Sequence, residues 1–565
     1  MSLMSGLFVG ATGLRTSQNA LNTTAHNLSN VETKGYVRQQ TLLQDMDYNN
    51  TGMASVSKLQ SGLGVEYAQV RQVRDYFLDQ SYRKEAGRSS FYEINYETTS
   101  EIETLLGEFD GVAFQDSLDS LWVSIQELQK DPSSAVTEGS FINTAAQFIE
   151  RAQAVYNGLS AYQDNLNSRI VDIVDRINEL GNRIFDLNVA INTEEIGEQE
   201  ANDMRDQRNA AIDELAGLAN ISYSTNADGA IEVMLEGVSF VARDRVFEMG
   251  TEIDEGNGFY TPVWPQNMNA EVFQKNQTIS TDLDTDIGQL KSLVLQRGDR
   301  RANYTDMEYD TYNNGRYTYY DDISGTLETV DVIPTSASMI MNVQAELDQM
   351  VHSIMTEINN IVTGEKYNLD HGITPTYSSL DDLPKELFVR LGTSRYADDG
   401  LGGYEYVSEL DNPYGANPSH ANTDHLYTIM NIKINPDLVK TPSLLADGFM
   451  TADRQVDSTK ADQIADAFTN TFSSLNPNLT QEYNYKDYYS AMVGSVATTG
   501  SVYSSIVSAQ QTAARQLYDA RDSIIGVSSN EELTNMIKFQ NAYNAASRYI
   551  TACNDMLENL LANLG

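Results

Sequence analysis

Apolar residues recur along several long stretches of this chain at intervals of three and four, the spacing of one face of an α-helix. Leucines at Leu7, Leu14, Leu21 and Leu28, with Leu3, Ala11 and Ala25 beside them, predict an N-terminal helix with a narrow seam. It should end near residue 30, where Asn30 and Thr33-Lys34-Gly35 supply turn formers before a strand-like Tyr36-Val37. At the other end Met536, Phe539, Tyr543, Ala546, Ile550, Cys553, Leu557, Leu560 and Leu564 keep the same rhythm. Ser529 with Glu532 reads as a capping box that starts this helix near residue 530. Ile170, Ile173, Ile177, Leu180, Ile184, Leu187 and Ile191 predict a long internal helix. Helical spacing also runs over 90–130, stopped at Asp131-Pro132, and over 140–160, 336–363 and 486–525.

From Ile221 the texture changes to short alternating runs around Asp228-Gly229, which predicts a hairpin, and Asn314-Gly315 in a Tyr-rich segment predicts another. Residues 370–440 are rich in Pro, Gly, Asn, Asp and Tyr and read as a second irregular or β-containing insert. The expected fold is multidomain α+β, with paired N- and C-terminal coiled-coil helices, a long helical bundle body and β-rich outer inserts. Its domains are expected at 1–50 plus 526–565, at 51–220 plus 331–368 plus 480–525, at 221–330, and at 369–479; the first two are discontinuous.

Composition narrows the chemistry. Lys and Arg number 37 against 80 Asp and Glu, a net charge of −43 that argues against nucleic acid and anionic membrane as partners. The single Cys553 cannot form an intrachain disulfide. No run of about 18 apolar residues predicts a membrane span, and the apolar stretch Leu3–Leu14 lacks the basic flank of a secretory signal peptide. Zinc-protease, serine-elbow, paired-thiol and phosphate-loop motifs are missing, so no catalytic, cofactor-binding or metal residue is assigned and the chain reads as a non-enzyme. Asp282-Leu-Asp284-Thr-Asp286 approaches a calcium loop but has Ile287 and Leu293 where Gly and Glu are needed. His420 and His425 lack a third ligand. Tyrosines 304, 309, 312, 317, 319 and 320 fit cross-strand pairing better than a sugar platform.

The terminal seams remain. An isolated helix gains little stability in water, and the C-terminal seam residues, each worth about 1.5–3 kcal/mol if fully buried, need a partner. The N-terminal seam is the first candidate. Leu7, Leu14, Leu21, Leu28, Met536, Phe539, Tyr543, Ile550, Leu557, Leu560 and Leu564 are therefore the expected assembly interface.

The stretch Leu21-Asn-Thr-Thr-Ala-His-Asn27-Leu28-Ser29-Asn30, followed by Gly35-Tyr36-Val37-Arg38-Gln39, resembles the signature of the flagellar rod, hook and hook-associated axial proteins. Gly526-Val527, Glu531-Glu532-Leu533, Phe539-Gln540-Asn541-Ala542-Tyr543 and Met556 through Leu561 are similar to the matching C-terminal end. Gly64-Val65, Arg71, Arg74-Asp75, the helices of 90–215 and Asp206-Gln207-Arg208 resemble the members that join hook to filament, as distinct from hook or distal-rod proteins. Lys34 departs from the Pro or Ala usual before Gly-Tyr, and residues 250–330 and 370–480 show no counterpart. The resemblance implies a structural subunit, secreted unfolded through the flagellar channel and assembled outside the cell as a ring. It also implies hook protein and the next hook-associated or filament-adaptor protein as neighbours, and an export chaperone on the C-terminal helix. It marks Asn27, Asn30, Gly35, Tyr36, Arg38 and Gln39 as the family motif. The alternatives are another axial flagellar protein, of hook or distal rod, and, from another class, a secreted hydrolase carried on flagellar-type ends.

Overall fold

The computed structural model describes residues 3–33, 35–46, 49–50, 60–107, 113–197, 200–254, 256–274, 277–309, 312, 316–321, 326–331, 335–409, 425–445, 449 and 458–564. The chain is multidomain α+β, and it forms two compact units. A terminal unit comprises Met1–Ser90, Asp175–Met249 and Ala509–Gly565; a central unit comprises Phe91–Val174 and Gly250–Ser508.

In the terminal unit, helix Leu3–Ser29 lies along helix Ser529–Leu564. Strands Gln39–Asp45 and Val65–Gln72 form an antiparallel ribbon beside the N-terminal helix. The chain after Ser29 does not become a strand at Tyr36-Val37, because the Val37 amide is taken by the Asp206 carboxylate at 3.1 Å; ladder pairing starts at Gln39. Helix Asn202–Leu218 and the end of helix Ala135–Glu195 pack with a three-stranded sheet, Ile221–Thr225, Ile231–Leu235 and Val238–Val241. Gly229 supplies the left-handed turn of the predicted hairpin at φ 81°. Gly181 meets the Phe240 ring so closely that any Cβ there would overlap it. Ile177, Leu180, Ile184 and Ile191 are buried as the seam predicts, and Ile173 and Leu187 lie at its edges. The stretches 140–160 and 170–191 are one helix of 61 residues, since no Gly or Pro breaker at a turn separates them.

The central unit is built on helix Met339–Thr363, capped by Ser338 and closed by Gly364 at φ 76°. Its apolar positions Val343, Leu347, Val351, Ile354, Ile358 and Ile361 are buried, and so are Gln344, Glu346, Asp348 and Asn359. Three of the polar ones find partners inside: Gln344 bonds Gln163 at 2.9 Å, Asp348 accepts the amides of Tyr304 and Ile429 at 3.0 and 2.7 Å, and Asn359 donates to Phe388 O at 2.8 Å. The span 90–130 is two helices, Tyr76–Leu106 and Phe114–Lys130; Phe114 packs on Phe148 and on Tyr489 of helix Tyr485–Ile525. Arg395, with Glu365 at 2.9 Å and Glu386 at 3.4 Å, forms a buried charge cluster behind the short strands of 376–434. The hairpin Arg316–Asp321/Thr326–Asp331 closes beyond Asp321, so its turn is not Asn314-Gly315, which lies outside the described residues.

Candidate assembly interface

The line that the N-terminal helix buries against its partner consists of small residues. Gly6 faces Cys553 and Tyr549, Gly10 faces Ile550, and Gly13 faces Ala546. A Cβ on Gly10 would stand 2.7 Å from Ile550 Cγ1, so the two backbones approach this closely only because glycine is there. Farther along, Thr16, Ser17, Ala20 and Thr24 continue the buried line. Their hydroxyls turn back onto their own helix: Ser17 Oγ donates to Gly13 O at 2.7 Å and Thr24 Oγ1 to Ala20 O at 2.9 Å. Leu7, Leu14, Leu21 and Leu28 flank this line, each half-buried. The leucine heptad drew attention to the flank, whereas the spacing Gly6, Gly10, Gly13 marks the contact itself.

On the C-terminal helix, Met536, Phe539, Tyr543, Ile550 and Leu557 are half-buried along the predicted seam and Cys553 is fully buried. Leu560 is 48% exposed, and the side chain of Leu564 lies outside the described residues. A second apolar set on the two helices points away from the contact: Phe8 is 48%, Ile537 60% and Leu561 67% exposed, with Met4, Leu533 and Met556 similarly open. Isolated exposed leucines are ordinary, but a row of them along a helix pair is the mark of a surface awaiting cover.

The motif residues gather where this pair meets the rest of the terminal unit. Asn27, 1% exposed, accepts Gln39 N–H at 3.0 Å and donates to Gln39 O at 2.8 Å, as a neighbouring strand would. Its Oδ1 also accepts the Tyr36 hydroxyl at 2.8 Å, and its Nδ2 reaches Glu532 Oε2 at 3.2 Å. Arg38 pairs with Glu531 at 2.9 Å and Glu532 at 3.1 Å, and its amide donates to Ile525 O at 2.8 Å. Asn30 ends the N-terminal helix, its side chain donating to His26 O at 3.0 Å, and Gly35 reverses the chain at φ 83°. Asp206 holds Gln72 at 2.7 Å as well as the Val37 amide; burial pushes its carboxyl up to about 7, and burial raises the Tyr36 phenol too.

Glu532 is not the capping carboxylate that the sequence suggests. Ser528 stands at the helix start, its carbonyl accepting Glu532 N at 2.9 Å, and the Glu532 side chain turns to Asn27 and Arg38, which offer a buried charge-assisted partnership. The role of Glu532 therefore needed the fold to be seen.

One turn before its end at Ile525, helix Tyr485–Ile525 is fixed by a chain of buried charges. Arg521 contacts Asp213 at 2.8 Å and Asp79 at 3.5 Å; Asp213 also takes Arg83 at 2.6 Å, and Asp79 takes Arg74 at 2.9 Å. The Arg521 guanidinium lies 4.4 Å from the Tyr82 ring centre. Removing one member of such a chain leaves a buried charge unpaired, so the chain specifies where these helices cross.

The other candidates resolve into structure. Asp286 is buried and accepts the Tyr92 and Thr281 hydroxyls at 3.1 and 2.8 Å. Among the described residues no group of three His, Cys, Asp or Glu is placed to hold a metal. His420 lies outside them, and the His425 carbonyl accepts from Arg390 at 2.6 Å. Tyr304 stacks on His352 with ring centres 3.7 Å apart and donates to Glu409. Tyr309 is exposed and Tyr312 half-buried, while the side chains of Tyr317, Tyr319 and Tyr320 lie outside the described residues. No helix among the described residues is long and apolar enough to cross a membrane.

Residues 99–371 match the family model "Flagellar hook-associated protein FlgK helical domain", and residues 523–564 match "Flagellar basal body rod FlgEFG protein C-terminal". Flagellar hook-associated protein 1 of Bacillus subtilis is 25% identical over 100% of this chain and 99% of its own length. The protein of the same name from Salmonella typhimurium is 22% identical over 97% of this chain and 98% of its own. A solved structure titled as the flagellar hook junction protein FlgK from Burkholderia pseudomallei aligns with 80% of this chain and 100% of its own, at 12% identity and a TM-score of 0.49. The helical-domain model covers the long helices, the rod-type model covers the C-terminal member of the helix pair, and the full-length relatives span both: along its whole length the chain is similar to flagellar hook-associated protein 1.

Proposed function

We propose that this chain is a structural subunit of the bacterial flagellum that forms the junction zone between hook and filament and carries out no catalysis. The observation that carries this reading is the terminal helix pair: it buries one line of small residues and leaves Phe8, Ile537, Leu560 and Leu561 uncovered. A surface of this kind is satisfied by neighbouring subunits, and the names of the full-length relatives agree with that role.

The finer reading is that the chain leaves the cell unfolded through the flagellar channel and closes a ring at the hook tip through these helices. Its neighbours there are hook protein and the next hook-associated or filament-adaptor protein. An export chaperone covers the C-terminal helix before assembly, which suits a helix with so little intrachain burial. The β-rich inserts take no part in these contacts.

Leu557→Asp tests the reading, because it places a charge beside the buried Cys553 in the seam. The variant chain should be made and remain soluble, yet fail to incorporate into growing flagella, as seen by labelling the hook–filament joint in electron micrographs. Normal filaments on cells carrying only this variant would refute it.

A further inference from the structure

Two clamps stand on either side of the short connector Gly526–Ser528 that joins helix Tyr485–Ile525 to helix Ser529–Leu564, and they are unequal. On one side Arg521 is buried between Asp79 and Asp213 and lies against Tyr82, held by side chains from two other helices. On the other side the C-terminal helix is held by Glu532 alone among its buried polar groups, through Asn27 at 3.2 Å and the partly exposed Arg38 at 3.1 Å.

The connector itself has no slack at its first residue. Gly526 N donates to Asp522 O at 2.7 Å, and a Cβ on Gly526 would stand 2.5 Å from that same carbonyl, so the chain leaves the first helix in a path that only glycine permits. Beside it lies a cavity of about 410 Å³, lined among others by Val31, Thr33, Tyr36, Tyr518, Ile525 and Val527. The connector therefore has one rigid end, one lightly held end and empty space alongside.

We infer that the Asn27–Glu532–Arg38 cluster sets the angle at which the terminal helix pair leaves the body of the terminal unit, with Gly526–Ser528 as the pivot. Asn27 and Glu532 are then positioning residues. They act by aiming the uncovered apolar row, and neither has to touch a neighbouring subunit. The inference rests on the assembly reading for its purpose but not for its geometry. Asn27 is suited to the task because one carboxamide ties three segments: the last turn of the N-terminal helix, the strand that starts at Gln39, and the first turn of the C-terminal helix. An aspartate there keeps the bonds from Gln39 N–H and Tyr36 OH, but it sets oxygen against oxygen where the amide nitrogen now faces Gln39 O and Glu532.

Spin labels at Ser547→Cys and Arg183→Cys, both exposed positions of the terminal unit, read this angle in the dilute full-length chain with Cys553→Ser as background. The parent should give a single narrow distance peak. Asn27→Asp should lose that peak to a broad distribution at unchanged helix content, and adding Glu532→Gln, whose amide can donate to the new carboxylate, should recover part of it. A merely stabilising role for Asn27 would lower the melting point without this broadening and without rescue. A narrow parental peak that survives Asn27→Asp, or broadening that Glu532→Gln does not relieve, overturns the inference and leaves the Leu557→Asp test of assembly untouched. If Asn27→Asp does not fold, Arg38→Met removes the same clamp from its exposed side; it must broaden the peak, and an unchanged peak overturns the inference equally.

Discussion

Helix Met339–Thr363 and helix Ser529–Leu564 have similar apolar periodicity in sequence but opposite fates. The first buries residues around its whole circumference, including Gln344, Glu346, Asp348 and Asn359. In the second, only Glu532 and Cys553 are buried among the described residues. The difference teaches that a three-four seam fixes which residues face a partner, and that the rest of the helix tells whether the partner lies within the chain. Polar residues with internal hydrogen bonds on the back of a seam mark a core helix; bare leucines there mark a surface to be covered by something else.

The comparison can be broken most forcefully at the core. Leu347→Ala should cost about 2–5 kcal/mol, the range for emptying a fully buried leucine site, whereas Ile550→Ala in the half-buried terminal seam should cost about 1 kcal/mol or less. Hydrogen exchange resolved by helix would measure both, and equal losses would erase the distinction. A smaller effect comes from acidity. Burial pushes Glu346 up to about 8 and Asp348 up to about 6 in the central unit, and Asp206 to about 7 in the terminal unit. Each folded value lies above the value near 4 of an exposed carboxyl, so the stabilising contribution is complete below about pH 4 and is lost as pH rises through the folded value. The melting midpoint of the central unit should therefore fall as pH is raised from 5 to 8.5, and that of the terminal unit should fall less steeply. Glu346→Gln should flatten the central slope; a midpoint that rises over this range would contradict the assignment.

Much of this was legible before the fold was seen. The long helices, the Asp228-Gly229 hairpin and the C-terminal seam follow from spacing and turn chemistry, which are local properties. The family motif was readable as a motif, but its work was not. Asn27 acts on Gln39 and on Glu532, 505 residues away in sequence, and no periodicity links such positions. The glycine line of the N-terminal contact is illegible for a different reason: glycines carry no hydrophobic signal, so the leucines beside them stand out in sequence, although close backbone approach makes the glycines part of the contact. Ser528, not Ser529, stands at the capping position before the first turn, and Glu532 bonds Asn27 and Arg38 instead of the helix start.

The central claim is that the uncovered apolar row of the terminal helices is an assembly contact. Ile537→Asp with Leu561→Asp tests it most directly, because both side chains are well exposed, at 60% and 67%, and lie off the seam that meets the N-terminal helix. The account predicts circular dichroism and melting equal to the parent in the dilute full-length chain, together with absence of the variant from the hook–filament joint of labelled flagella. Incorporation at the parental level, with the fold intact, would contradict it.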